Sequence, residues 1–119
     1  MHETMLEKAK EVGRLIGQTD EYKALRRAQQ RLNEDRETVE KLNRLVQLER
    51  EFAQKLQSGE QIDEDRRSEY EEAASELQSS SVYQAVVAAQ SNFDKLMGKV
   101  NDEMGKGMEA AAQSNIILP

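Results

Sequence analysis

The segment from about residue 36 to 57 sets the tightest limit on how this chain can fold. Val39, Leu42, Leu45 or Val46, Glu49, Phe52, Ala53 and Leu56 recur at intervals of three and four, the repeat of one helix face and not of a strand. Glu49 is the single polar member of that stripe. The stretch "QSGEQID" then supplies Gly59 as a helix stop and Asp63 as the cap of a fourth helix, with Ile62 ahead of the cap able to staple onto the stem of Arg67 or onto Tyr70. A tight helical hairpin is expected. Helix four, roughly 64 to 78, offers only Tyr70, Ala73, Ala74 and Leu77 on a strongly acidic rod, so its burial should be partial.

The same period continues in both directions. Met5, Ala9, Val12 and Ile16 line one face of a helix over residues 3 to 16, widened by Leu6 and Leu15. Gly17 is placed to follow it as a C′ residue, and Thr19 to cap a second helix whose first turn, Asp20 and Glu21, suits the positive end of the helix dipole. Tyr22, Leu25, Ala28 and Leu32 mark that helix, which should end between Asn33 and Asp35, Asp35 capping helix three. Downstream, the serines at 79 to 81 interrupt the pattern, and one of them should cap helix five because Ser hydroxyls compete for backbone groups inside helices.

Helix five is expected from about 82 to at least 104. Val82, Val86, Ala89, Phe93, Leu96 or Met97, Val100 and Met104 fall on one face, and Tyr83, Val87 and Gln90 on an adjacent one. The window "SSSVYQAVVAAQSNF" within it carries no charge, although 34% of the chain is charged. Small Ala85, Ala88 and Ala89 let neighbouring backbones approach. After Met104 the pattern loosens, since Gly98, Gly105 and Gly107 each cost about 1 kcal/mol in a helix interior relative to Ala. Fraying or a hinge is expected there, with 109–119 as a flexible tail unless its "NIILP" end docks on a neighbouring helix or subunit to cover three large aliphatics.

With no strand-type alternation and no fixed repeat, the class is all-α. About five helices, with a long central hairpin and a long C-terminal helix, form a single helical domain over residues 1–119. At 37% apolar residues, with no Trp and only three Tyr and two Phe, the chain can bury a seam between helices but not a thick core. Oligomerisation is expected to complete that core, as a dimer or a higher homo-oligomer.

Charge and composition exclude several functions. The net charge of −6 is spread with both signs interleaved, so no basic stripe exists to neutralise phosphates, and direct nucleic-acid binding is not expected. Zero cysteines exclude disulfides and any iron–sulfur cluster held by this chain's own thiolates. The charged start "MHETMLEKAKEVGRLIG" is not a secretory signal, and the uncharged run Leu77 to Phe93 is too polar for a membrane span. A cytoplasmic protein is expected. Low hydropathy also admits disorder, but the helical periodicity argues against it.

The order of these signals resembles the YlbF/YmcA family of small helical bacterial proteins. "DEYKALRRAQQRLNED", "LNRLVQLEREFAQKLQSGEQI" and "SSSVYQAVVAAQSNFDKLMGKVNDEM" carry the resemblance, through Tyr22, Leu25, Ala28 and Leu32, the Gly59 turn, Val82 leading into Ala89 and Gln90, Phe93, and Val100 with Asn101. It covers roughly residues 5 to 108. The resemblance implies a non-enzymatic regulator that acts in complexes with related family members and with an endoribonuclease that matures messenger RNA, in competence, sporulation and biofilm development. Some members carry a cysteine-bearing C-terminal region that helps hold an iron–sulfur cluster. This chain has none, its tail reading "AAAQSNIILP", and it is similar to the cysteine-free members.

No catalytic, cofactor or metal site is expected. His2 is the sole histidine and lacks partners for zinc or general-base work. The acids of "DEDRRSEYEE" (63 to 72) lack a calcium-loop pattern and read as a solvated helix face. No Glu-x-x-His pair suggests a di-metal bundle, and Ser79 to Ser81 have no base and no nucleophile elbow. Met97, Met104 and Met108 read as core filling or as an adaptable contact surface. The expected oligomer or partner interface comprises Val82, Tyr83, Val86, Ala89, Gln90, Phe93, Met97 and Val100. The alternative to a regulatory adaptor is a structural or chaperone-like helical protein, which sustained heptads would favour, but the stripes break at 17, 34, 59 and 80.

Overall fold

The computed structural model of the chain describes residues 1–117, with side chains through Ser114. The expected docking of "NIILP" falls on side chains outside that range. Five helices follow one another: α1 (Glu3–Gly17), α2 (Asp20–Glu34), α3 (Arg36–Ser58), α4 (Glu64–Gln78) and α5 (Ser81–Ile117). Among the described residues there is no strand. The all-α class is as expected.

The helix boundaries follow from local capping chemistry. The Thr19 hydroxyl accepts from the Tyr22 amide at 3.2 Å and donates to the Ile16 carbonyl at 2.6 Å, so one side chain closes α1 and opens α2. Asp35 accepts from the Thr38 amide at 3.2 Å to cap α3, and Asp63 accepts from the Asp65 amide at 3.3 Å to cap α4. Ser80 is the serine that caps α5, its hydroxyl accepting from the Tyr83 amide at 3.3 Å. Gly59 ends α3 with φ at 77°, in the left-handed region that glycine enters without a Cβ penalty. The Glu60 amide then reaches back to the Lys55 carbonyl at 2.9 Å.

Two local expectations are corrected. Gly17 is the last residue of α1 and not a left-handed stop, the C-cap being Gln18 at φ −91°; the Thr19 bonds already satisfy this end of the helix. And α5 does not break after Met104, but runs as 37 residues past Gly98, Gly105 and Gly107. Lys99, Met104 and Lys106 stand between the glycines, and Met108 and Ala110 to Ala112 follow, residues whose helix propensity offsets single-glycine costs of about 1 kcal/mol.

The backbone forms two compact units, Arg26–Ala88 and Met1–Leu25 with Ala89–Pro119. In the first, α3 and α4 pack as the antiparallel hairpin that Gly59 allows. Leu48 is 0% exposed and Leu77 is 2% exposed, with Ala28 and Thr38 also buried. The Phe52 and Tyr70 rings meet at 5.5 Å, tilted by 55°, a favoured aromatic geometry. The buried Thr38 hydroxyl lies 3.4 Å from the Ser80 hydroxyl, so the cap of α5 also satisfies this buried polar side chain. In the second unit Leu25 and Ala89 are buried, and Tyr22 packs on Phe93 at 5.8 Å.

The seam of α3 keeps part of the expected stripe. The buried and half-buried positions are Thr38, Val39, Lys41, Leu42, Arg44, Leu45, Leu48, Glu51, Phe52 and Lys55, whereas Val46, Glu49, Ala53 and Leu56 are exposed. Leu56 is 70% exposed. Val39, Leu42, Leu45 and Phe52 lie where the spacing placed them; Leu48, three residues after Leu45 and four before Phe52, is the fully buried centre that the stripe left out.

Candidate protein-interaction surface

The residues expected to form an interface are spread over several environments. Val82, Tyr83 and Val86 are half-buried, as are Phe93, Met97 and Val100; Ala89 is buried and Gln90 is exposed. Phe93 already has Tyr22 as an aromatic partner within its unit, and the Gln90 side chain donates to Asp94 one turn on at 2.9 Å. Val87, between these residues, is 50% exposed.

The exposed apolar surface is larger elsewhere. α1 has no buried residue; Met5, Leu6, Val12 and Leu15 are between 41% and 61% exposed. On the distal part of α5, Met104 and Met108 are 54% and 69% exposed. Soluble proteins rarely leave contiguous apolar patches of more than a few hundred Å² uncovered. Periodicity marks both stretches, which lie in the unit formed by Met1–Leu25 and Ala89–Pro119, as apolar faces, but does not show what lies against them. Gly105 and Gly107 have no atom within 4 Å of where a Cβ would stand, so a neighbouring helix could approach the α5 backbone there.

The same unit contains an open groove of about 450 Å³ between the start of α2 and the middle of α5. Asp20, Glu21 and Ala24 of α2 and Ala89, Asn92, Lys95, Leu96 and Lys99 of α5 line it, so that its acids come from one helix and its lysines from the other.

The α3–α4 hairpin carries the strongest polar network. Arg44 Nε donates to Glu69 Oε1 at 2.8 Å and its terminal nitrogen to the same oxygen, while Arg66 donates to Glu69 Oε2 at 3.2 Å. Arg66 also lies 3.6 Å from Glu51, and Lys41 lies 3.2 Å from Glu37 and 3.9 Å from Glu76. The hydrogen bond from Arg44 is the main cause that holds the Glu69 carboxyl below the usual glutamate range, with Arg66 adding to it against a partial loss of solvation. Tyr70 donates its hydroxyl to Glu49 at 3.2 Å, and that bond to a carboxylate raises the phenol above its ordinary value. These groups are matched across a helix pair, where partly exposed ion pairs contribute little individually and mainly set register.

The acids of 63 to 72 are thus only partly a solvated face: Glu69 and Arg66 tie α4 to α3, while Glu64, Asp65, Glu71 and Glu72 are exposed. His2 is exposed at the N-cap of α1 and makes no capping hydrogen bond. Among the described residues no three His, Cys, Asp or Glu side chains gather as a metal site. No helix among them is long and apolar enough to cross a membrane.

Among the described residues the chain is five helices, with its most extensive ionic network on the α3–α4 hairpin and apolar side chains exposed on α1 and α5. The comparisons place it further. The family model described as "Control of competence regulator ComK, YlbF/YmcA" matches residues 5–109, and the chain belongs to that family, which is one of regulatory proteins. It is also similar to a UPF0342 protein of Staphylococcus saprophyticus, with 23% identity over 101 residues, covering 85% of this chain and 89% of that protein.

Proposed function

We propose that this protein is a non-enzymatic cytoplasmic regulator that acts by binding other proteins. It would do so as a homo-oligomer, in complex with paralogues of its own family and with an mRNA-processing endoribonuclease. The observation that carries the reading is the family match over residues 5–109, joined to the apolar side chains that α1 and α5 leave exposed. On this reading the face of α5 formed by Val82, Tyr83, Val86, Ala89, Gln90, Phe93, Met97 and Val100 serves partners through its exposed edge, Gln90 with the neighbouring Val87, while its half-buried members keep that edge rigid. The mixed-sign surface directs the protein to other proteins and not to RNA itself.

The test is affinity capture of the protein from its native cells followed by mass spectrometry. Enrichment of family paralogues and a ribonuclease supports the reading. Recovery of neither, from cells in which both are expressed, overturns it.

A further inference from the structure

Interleaving of charge signs, which holds for the chain as a whole, fails on α2. Between Glu21 and Glu34 stand four cations, Lys23, Arg26, Arg27 and Arg31, and no acid. The rest of the chain sets 13 cations against 23 acids. Arg26, Arg27 and Arg31 are exposed, as are Gln30 and Asn33, whereas Ala28 is buried and Leu32 half-buried. At 100° per residue the three arginines fall within an arc of about 140°, so they share one face of the helix, opposite Ala28 and Leu32.

These charges are not matched within the chain. On other helices the cations find acids at helical spacing: Arg14 with Glu11, Lys41 with Glu37, Lys55 with Glu51 and Lys106 with Glu103. Arg26 and Arg27 have no acid three or four residues away in either direction. Among the described residues none of the three arginines makes an ion pair. Arg27 instead meets Arg31 one turn on, and like charges at that spacing destabilise a helix. An anion laid along the face relieves that repulsion. Arg26, Arg27, Gln30 and Asn33 also border an open hollow of about 390 Å³, shared with Glu34, whose carboxylate already accepts from Gln30 at 3.4 Å.

We infer that this face of α2 docks an acidic segment of another protein, whose Asp and Glu carboxylates pair with Arg26, Arg27 and Arg31. The chemistry of the face selects that occupant over a nucleic acid. Guanidinium groups present forked donors that fit a carboxylate through two hydrogen bonds, and Gln30 and Asn33 add amide donors. From Arg26 to Asn33 the face is about 10 Å long, room for about three carboxylates spaced one helical turn apart. A phosphate backbone would continue beyond it onto Glu34, Asp35 and Glu37. No aromatic residue stands between Lys23 and Glu40 on which a base could stack. The inference rests on the reading of the protein as one that works through protein contacts, and gives that reading a partner chemistry and a place on the chain.

The test titrates the full-length protein into a fluorescein-labelled peptide of Ala and Glu, its glutamates at one-turn spacing, with fluorescence anisotropy read at low salt. The same peptide with Gln for Glu, and an oligouridylate of equal length, are the comparison probes. The acidic peptide should bind, and should lose affinity as salt shortens the Debye length. Arg26→Gln, Arg27→Gln and Arg31→Gln together should weaken it about tenfold, the loss expected for three partly exposed ion pairs. Lys8→Gln, Lys10→Gln and Lys95→Gln together remove the same charge from other exposed positions and should change it by less than about twofold. Arg27→Ala alone, which keeps a strong helix former at the site, should weaken it about twofold and serves if the triple variant does not fold.

An acidic peptide that binds no better than its Gln counterpart overturns the inference. So does equal weakening by the two triple variants, which would reduce the effect to net charge, or Arg27→Ala binding as tightly as the wild type. Oligouridylate bound through the same arginines at least as tightly as the peptide overturns it in favour of a nucleic acid. A fall in mass in light scattering on replacing the arginines also overturns it, since the acids would then be those of the protein's own α4. The titration and the affinity capture fail independently: a peptide bound through α2 with no captured paralogue removes only the regulatory reading, and the converse removes only this one.

Discussion

Replacing Leu48 by Ala tests where the centre of the hairpin lies. Leu48 is fully buried at 0% exposure, between Leu45 and Phe52 on the face of α3 that meets α4. Truncating a core leucine removes its transfer free energy and leaves a cavity, at a cost of about 3 kcal/mol. With an unfolding entropy of roughly 2.1 cal/mol/K per residue, a loss of that size lowers Tm by about 12 °C for a chain of this length. Leu56, 70% exposed on the same helix, has little area to lose, and its replacement by Ala should cost about 0.5 kcal/mol or less, or ~2 °C. Thermal melts followed by circular dichroism at 222 nm, with urea midpoints as a second measure, separate the two. If Leu56→Ala destabilises the protein as much as Leu48→Ala, the α3 seam runs through Val46, Ala53 and Leu56, and the packing described above is wrong.

Further outcomes follow from other parts of the structure. Gly59→Ala places a Cβ at φ 77° and should cost about 1 to 2 kcal/mol in urea unfolding; no change would mean that the α3 terminus does not adopt the left-handed turn. The Glu69 carboxyl is held below its ordinary range chiefly by Arg44, so its stabilising contribution is present above the ordinary glutamate value of about 4.3 and is lost as pH falls through the lower folded value. Glu69→Gln should therefore lose less stability than the wild type between neutral and strongly acid pH, and parallel profiles would contradict this. Phe93→Asp breaks the Tyr22 pair and charges a half-buried site, with an expected cost of about 2 to 3 kcal/mol, whereas Glu71→Lys on exposed α4 surface should stay within about 0.5 kcal/mol. The reverse order in thermal melts would refute that ranking.

The helix boundaries were legible in the sequence because capping is local chemistry. Thr19, Asp35 and Asp63 accept the amides that their positions suggest, and Gly59 needs only its own missing Cβ to end α3. The serine run held a cap, although spacing alone did not show that it was Ser80. The phase of α3 was legible at Val39, Leu42, Leu45 and Phe52, which are half-buried, but not at its centre Leu48 or at its exposed end, Ala53 and Leu56. At the candidate interface, periodicity correctly identifies apolar faces but carries no information about their occupants. Phe93 is partly satisfied by Tyr22, while the amphipathic α1 is left uncovered, a difference that depends on tertiary packing and is written in no single segment.

Amide hydrogen exchange of residues 5–16 reads whether another protein surface completes this protein. The amides of α1 should be protected at micromolar concentration and should lose that protection on dilution through the dissociation range, while those around Leu48 and Leu77 remain slow at every concentration. Protection of α1 that does not depend on concentration would contradict that completion, as would exchange at the unfolded rate throughout.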